Sequence, residues 1–333
     1  MFKAHLFILI IEMKNILITG GAGFIGSHLV DILLRENSWR VTVVDNFNDF
    51  YSPLVKRANI EGFLANPDFS LVEVDICDFD KLRAIFDGGN FDAIVHLAAR
   101  AGVRPSLEQP LLYAETNIRG TLNLLELARE FGVPQFVFGS SSSVYGASAE
   151  LPFKETALIS NPISPYAATK AAGELFCHTY SHLYGIRAIC LRFFTVYGAR
   201  QRPDLAIHKF TRAIYENKPI SVFGDGTTRR DYTFIDDIIA GVRAAIDYQQ
   251  TSFEIFNLGE SSTIELRELI ALIEKNLGRQ AIVERCEMQA GDVPATFADV
   301  TKARKMLGYN PSTPIEVGIK KFVQWFLEQS SVE

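Results

Sequence analysis

Asn15-Ile-Leu-Ile-Thr-Gly-Gly-Ala-Gly-Phe-Ile-Gly26 is the stretch on which the fold turns. Residues 15–19 form an apolar, strand-like run, and three glycines follow at a spacing of three. Gly20 permits a sharp turn, Gly23 lets a pyrophosphate approach the backbone, and Gly26 lets the next helix pack tightly on the sheet. The turn, with Phe24 and Ile25, opens that helix, whose N–H groups and dipole favour phosphate. Asp45 ends the second predicted strand, where a carboxylate accepts hydrogen bonds from an adenosine ribose. It would repel a 2′-phosphate and no Arg follows immediately, so the spacing favours NAD over NADP. Asn46 adjoins it. Asp75-Ile76 ends the third predicted strand, either beside the adenine or as a solvated strand end.

Outward from this stretch, apolar runs at 41–45, 71–75, 93–97, 136–140 and 188–193 alternate with helix-period segments at 24–36, 79–86, 114–131 and 166–184. Several runs are apolar almost throughout, as parallel strands covered on both faces are. The predicted class is therefore α/β, a doubly wound parallel sheet with a smaller C-terminal substrate-binding lobe. Past residue 198 the pattern loosens into helices at 205–217, 235–247, 264–277 and 315–327, with a short strand at 255–258. The expected division is an appendage at 1–12, a dinucleotide-binding domain at 13–197 and a substrate lobe at 198–333. Residues around 233–258 are expected to return to the first domain.

The chain has 333 residues, 48% hydrophobic and 22% charged, with a net charge of −6 and no long basic run. This is the composition of an ordinary soluble globular protein and argues against nucleic acid as the main partner. Cys77, Cys177, Cys190 and Cys286 show no Cys-x-x-Cys spacing, which predicts reduced thiols and a cytoplasmic location. The apolar run at 1–11 falls far short of a membrane span and no cleavage site follows it, so no membrane partner is expected.

Tyr166 and Lys170, in Ser164-Pro-Tyr-Ala-Ala-Thr-Lys170, are four positions apart on one predicted helix and share a face. A close ammonium favours the phenolate, making Tyr166 a base for an alcohol proton near neutral pH. Phe138-Gly-Ser-Ser-Ser-Ser-Val-Tyr-Gly146 puts hydroxyls at the C-terminal end of a strand, where such sheets bind ligands. Ser141 there can bond a substrate hydroxyl opposite Tyr166. His178 and His182 are spaced i, i+4 but lack a third ligand, so no metal is expected. His96 is expected to pack beside the cofactor.

On the motifs Thr19–Gly26, His96-Leu-Ala-Ala99, Asn117, Ser140–Gly146, Tyr166-x-x-x-Lys170 and Arg230-Asp-Tyr-Thr-Phe-Ile-Asp236, the chain resembles the extended short-chain dehydrogenase/reductase superfamily. Within that superfamily it is similar to the nucleotide-sugar epimerases. The resemblance implies that Tyr166 is the acid/base, that Lys170 positions the nicotinamide ribose and tunes Tyr166, and that Ser141 orients the sugar with Ser142 and Ser143. It adds Leu97, Ala98, Ala99 and Asn117 to the cofactor site, gives Arg230 the nucleotide diphosphate, and implies a homodimer built on the helices at 114–131 and 166–184. Ala101–Pro110, Leu191–Gly198, Arg202–Ala206 and Met288–Pro294 resemble segments of UDP-glucuronate 4-epimerases. Thr195 and Arg202 would then hold the sugar carboxylate, with Asp292 also in the substrate site.

The implied reaction is NAD-dependent 4-epimerisation of a UDP-sugar, UDP-glucuronate to UDP-galacturonate, through a 4-keto intermediate. The alternatives are a UDP-glucose or UDP-N-acetylhexosamine 4-epimerase, or a nucleotide-sugar decarboxylase or dehydratase. Dehydratases of the superfamily place Asp-Glu where Ser142 and Ser143 stand. A non-catalytic NAD-responsive binding protein is the remote alternative, and such proteins usually lack the Tyr/Lys pair that this chain keeps.

Overall fold

The computed structural model describes residues 13–147, 150–287 and 293–330. Six strands, β1 (Lys14–Thr19), β2 (Trp39–Asp45), β3 (Phe69–Glu73), β4 (Ala93–His96), β5 (Gln135–Ser141) and β6 (Arg187–Phe193), join the strand Phe253–Leu258 in one parallel sheet. Its order is Phe253–Leu258, β6, β5, β4, β1, β2, β3. The chain reverses direction between β1 and β4, which pair with Thr19 opposite His96. Such a reversal leaves a crevice beyond the carboxyl ends of the strands, where ligands bind.

The apolar strands are explained by two cores rather than one. Ile16, Ile18, Val43, Val95 and Val137 point to one face, against Leu29 and Val30 of helix α1 (Phe24–Arg35) and Ile238 and Val242 of helix Ile235–Ile246. Leu17, Val44, Ile94, Phe136 and Phe138 point to the other, against Leu82, Phe86, Leu124 and Cys177. Alternation with period two, apolar on both faces, gives the continuous hydrophobic runs of the sequence. Helix Ile235–Ile246 and strand Phe253–Leu258 thus extend the sheet from the C-terminal half.

Three two-stranded pairs lie outside the main sheet: Thr195–Tyr197 with Tyr232–Phe234, Arg229–Arg230 with Ile264–Glu265, and Pro219–Phe223 with Ile282–Cys286. The third strand of the main sheet starts earlier than the hydrophobic run suggests and ends at Glu73, leaving Asp75 beyond it. The helix expected at 114–131 begins at Pro110 and passes through a π-helical turn at Glu115–Arg119. Proline presets a first helical turn, and a π turn inserts one extra residue that hydrophobic periodicity does not reveal.

Candidate active site

The turn after β1 is shaped by contacts that forbid side chains. Gly20 adopts a left-handed φ of 71°, and a methyl group there would stand 2.7 Å from the Ala98 amide nitrogen. A methyl group on Gly26 would meet the Gly20 carbonyl oxygen at 2.3 Å, so α1 is seated directly on the turn. Its N-terminus opens into a cavity of about 380 Å³ that runs along the carboxyl edge of the sheet.

Gly20, Gly23, Phe24, Ile25, Gly26, Asp45, Asn46, Ile76, Leu97, Ala98 and Ala99 line one end of this cavity. Ser141, Ser142, Ser143, Tyr166, Lys170, Thr195 and Arg202 line the rest. Asp75 contributes indirectly, accepting a hydrogen bond from Asn46 Nδ2 at 2.7 Å. Asp45 is buried, accepting from the Phe47 amide at 2.9 Å and the Ala22 amide at 3.3 Å. Burial raises its pKa, and Lys56, with Nζ 4.0 Å from Oδ1, opposes that shift. Lys56 lies eleven residues past Asp45, too far for the sequence to announce the pairing.

Tyr166 and Lys170 sit in the first turns of helix Pro165–Tyr184. Ser164 caps it, its hydroxyl accepting from the Ala167 amide at 3.1 Å; Pro165 starts the turn and Gly185 ends the helix left-handed. These are strong local signals, worth about 1 kcal/mol for the cap alone. Burial raises the Tyr166 pKa, while the Ser141 hydroxyl and the Arg202 guanidinium pull it back. Lys170 Nζ donates to the Gly139 carbonyl at 2.6 Å, and burial lowers its pKa to about 8. Among the charged groups it is Arg202 that lowers the Tyr166 pKa here, while the Lys170 ammonium is held by the Gly139 carbonyl.

Arg202 is largely buried and grips Asp204 with both arms, Nε to Oδ1 at 3.0 Å and Nη2 to Oδ2 at 2.8 Å. Its guanidinium carbon lies 5.2 Å from the centre of the Phe50 ring. Burial opposes the charge, but the Asp204 bonds outweigh it and raise the pKa.

Asn117 does not line the cavity. Its Oδ1 accepts from the Arg100 amide at 2.8 Å, and its Nδ2 donates to the Arg100 carbonyl at 2.9 Å and to Thr169 Oγ1 at 3.0 Å. Standing in the π turn, it ties the loop that follows β4 to the catalytic helix. Arg230 also lies off the cavity wall, donating to the Arg229 carbonyl at 2.9 Å. Next to it, fully buried Asp231 accepts from the amides of Glu260, Ser261 and Ala298 and from Thr233 Oγ1, which joins three loops of the C-terminal half. Asp292 lies outside the described residues.

His96 bonds Thr19 Oγ1 through Nδ1 at 2.7 Å and Thr121 Oγ1 through Nε2 at 2.9 Å. Thr121 already donates its proton to the Asn117 carbonyl, so His96 carries its own on Nε2. Burial, with Lys170 adding repulsion, lowers its pKa to about 3, and it packs as a neutral ring. His178 and His182 stack in parallel on an exposed face, and no cluster of metal-ligating residues occurs among the described residues.

Sequence reasoning missed Asn48, Phe50, Tyr51 and Lys56, all of which line the cavity. The signal for them in the sequence was the aromatic pair Phe50-Tyr51 in the loop that follows Asp45. The residues present fit a dinucleotide: a helix N-terminus without side-chain cover, a glycine cradle, a carboxylate at the ribose position, and a buried Tyr51 hydroxyl with no protein partner beside Gly23.

Fold and site together define a dinucleotide-dependent enzyme of the doubly wound class. Residues 16–259 match the NAD dependent epimerase/dehydratase family. The chain belongs to that family, and NAD is its cofactor. It is 44% identical to the UDP-glucuronate 4-epimerase of Thermodesulfobacterium geofontis, over 95% of this chain and 97% of that protein. The UDP-glucuronic acid 4-epimerase of Bacillus cereus, solved with UDP-glucuronic acid and NAD, superposes with a TM-score of 0.88 at 36% identity, covering 95% of this chain and 100% of that one. The UDP-glucose 4-epimerase of Thermotoga maritima, solved with UDP-glucose, gives 0.87 at 34% identity over 96% and 100%.

Proposed function

We propose that this protein is an NAD-dependent 4-epimerase of UDP-sugars whose substrate is UDP-glucuronate, converted to UDP-galacturonate. The observation that carries the choice of sugar is the buried cation Arg202, on the same cavity wall as Tyr166, Ser141 and Thr195. A hexose carboxylate placed between Thr195 and Arg202 would bring the neighbouring C4 hydroxyl to the phenol.

NAD, when bound, supplies a reversible acceptor for the hydride at C4 of the sugar. Tyr166 takes the 4-hydroxyl proton as general base and, after the 4-keto sugar has presented its other face, returns it to the carbonyl oxygen as general acid. Ser141 orients that hydroxyl, and Lys170, once it can leave the Gly139 carbonyl for a ribose, stabilises the phenolate. The 4-keto uronate is a β-keto acid and loses CO₂ when the C5–carboxylate bond aligns with the carbonyl π system. Thr195 and Arg202 hold the carboxylate out of that alignment. A charge-assisted contact contributes roughly 1.5–3 kcal/mol, enough to separate competing fates by one or two orders of magnitude.

The smaller lobe, anchored through Asp231, carries Arg230 toward the nucleotide diphosphate; the division near residue 198 is the boundary between cofactor-holding and sugar-holding parts. The exposed Leu111, Leu175, Leu183 and Tyr184 on helices Pro110–Ala114 and Pro165–Tyr184 favour a homodimer through this face, and the free thiols of Cys77, Cys177, Cys190 and Cys286 favour a reducing compartment, the cytoplasm. No helix among the described residues is long and apolar enough to cross a membrane.

Incubation with UDP-glucuronate, UDP-glucose and UDP-N-acetylglucosamine, followed by chromatography, tests the reading. UDP-galacturonate should form fastest, with Arg202→Ala lowering kcat/KM for the uronate at least tenfold more than for the glucose. Equal losses on both sugars would remove Arg202 as the carboxylate partner, and inversion of the neutral sugars alone would reject UDP-glucuronate.

A further inference from the structure

The segment between Asp45 and the Pro53–Ile60 helix covers the cavity mouth and is pinned from within. Asn46 Oδ1 accepts from the Asn48 amide at 3.1 Å, and Asn48 Oδ1 accepts from the Phe50 amide at 3.1 Å. Lys56 Nζ donates to the Asn48 carbonyl at 2.9 Å and lies 5.0 Å from the centre of the Tyr51 ring. Tyr51 is therefore fixed in place by two side-chain-closed turns and a cation on its ring face.

Its hydroxyl is shielded from solvent and has no hydrogen-bond partner among the described residues. A buried hydroxyl left unpaired costs roughly 1–3 kcal/mol, so such a group in a pinned position requires a reason. The surroundings supply one. A methyl group on Gly23 would stand 3.8 Å from the Tyr51 oxygen, so the phenol hangs over the backbone of the turn that opens α1. Burial raises the Tyr51 pKa, with only Arg202 opposing, so the group is a neutral donor throughout the physiological range. A donor beside exposed helix N–H groups matches an anionic oxygen.

We infer that Tyr51 is a cofactor-binding residue, its hydroxyl donating a hydrogen bond to the NAD diphosphate across the Gly20–Gly26 turn. The adjacent Phe50 carries Arg202 on its ring, so one dipeptide touches the cofactor on one side and the sugar-facing cation on the other. The inference rests on NAD occupying this turn and not on which sugar the enzyme inverts.

Tyr51→Phe removes one oxygen that bonds nothing in the protein and keeps the ring under Lys56, so the variant retains the fold. Holoenzyme of both forms is loaded with isotopically labelled NAD, and its exchange against unlabelled NAD is followed without sugar present. Exchange about tenfold faster in Tyr51→Phe, with the KM for UDP-glucuronate within twofold of wild type, is the expected result. Unchanged NAD exchange overturns the assignment. Unchanged exchange with a raised KM would do so as well, by placing the phenol on the substrate. Because the readout needs no sugar, absence of epimerisation in the wild type would leave the exchange comparison intact.

Discussion

Tyr166 shows how little of a catalytic residue's environment lies in its own motif. The Tyr-x-x-x-Lys spacing places both side chains on one helix face, and the structure seats both in the cavity wall. Their surroundings come from elsewhere in the chain: the Lys170 ammonium donates to the Gly139 carbonyl, and the Arg202 guanidinium helps to lower the Tyr166 pKa. Removing the phenolic oxygen takes away the proton acceptor and leaves the cofactor cradle intact. Tyr166→Phe should therefore lower kcat at least a thousandfold while the purified protein keeps its full NAD content, read by absorbance after denaturation. Retention of most activity would remove Tyr166 from the chemistry.

At the scale of elements, the catalytic helix is fastened to the sheet by a buried charge network. Glu174 accepts from Ser140 Oγ at 2.5 Å and from Arg192 Nε and Nη2 at 2.9 and 2.7 Å, joining β5, the helix and β6. Both charged side chains are 2% exposed. Burial opposes the Arg192 charge, and the Glu174 bonds more than restore it. Breaking one side of such a pair strands the other charge, at a cost of about 3–5 kcal/mol. Glu174→Gln should lower the unfolding free energy obtained by denaturant titration by about 3–5 kcal/mol, and adding Arg192→Met should recover part of it. A single variant as stable as wild type would show that the pair does not hold these elements together. None of this was legible beforehand, because Glu174 and Arg192 meet only once the helix has packed across two strands.

At the scale of the molecule, the outward face of helix Pro165–Tyr184 leaves Leu175 and Leu183 65% and 59% exposed, and Leu111 on the Pro110–Ala114 helix is 84% exposed. Large exposed apolar side chains on one side of a monomer mark an association surface. Sedimentation should give twice the monomer mass, and Leu175→Glu with Leu183→Glu should give the monomer, still holding NAD. A wild-type monomer at micromolar concentration would exclude this face as a dimer contact.

The sequence by itself determined the order of strands and helices, the glycine turn, the serine loop and the Tyr/Lys helix, because each depends on local spacing, capping and hydrophobic period. Tertiary structure alone decided that Asn117 bonds Thr169 of the catalytic helix, that Lys56 meets Asp45, that Arg202 lines the same cavity as Tyr166 and that the Tyr51 hydroxyl faces Gly23. Those placements arise from a one-residue π insertion and from loops brought together over the sheet edge. Side-chain fields and close approaches depend on distances in space, and separation along the chain does not encode them.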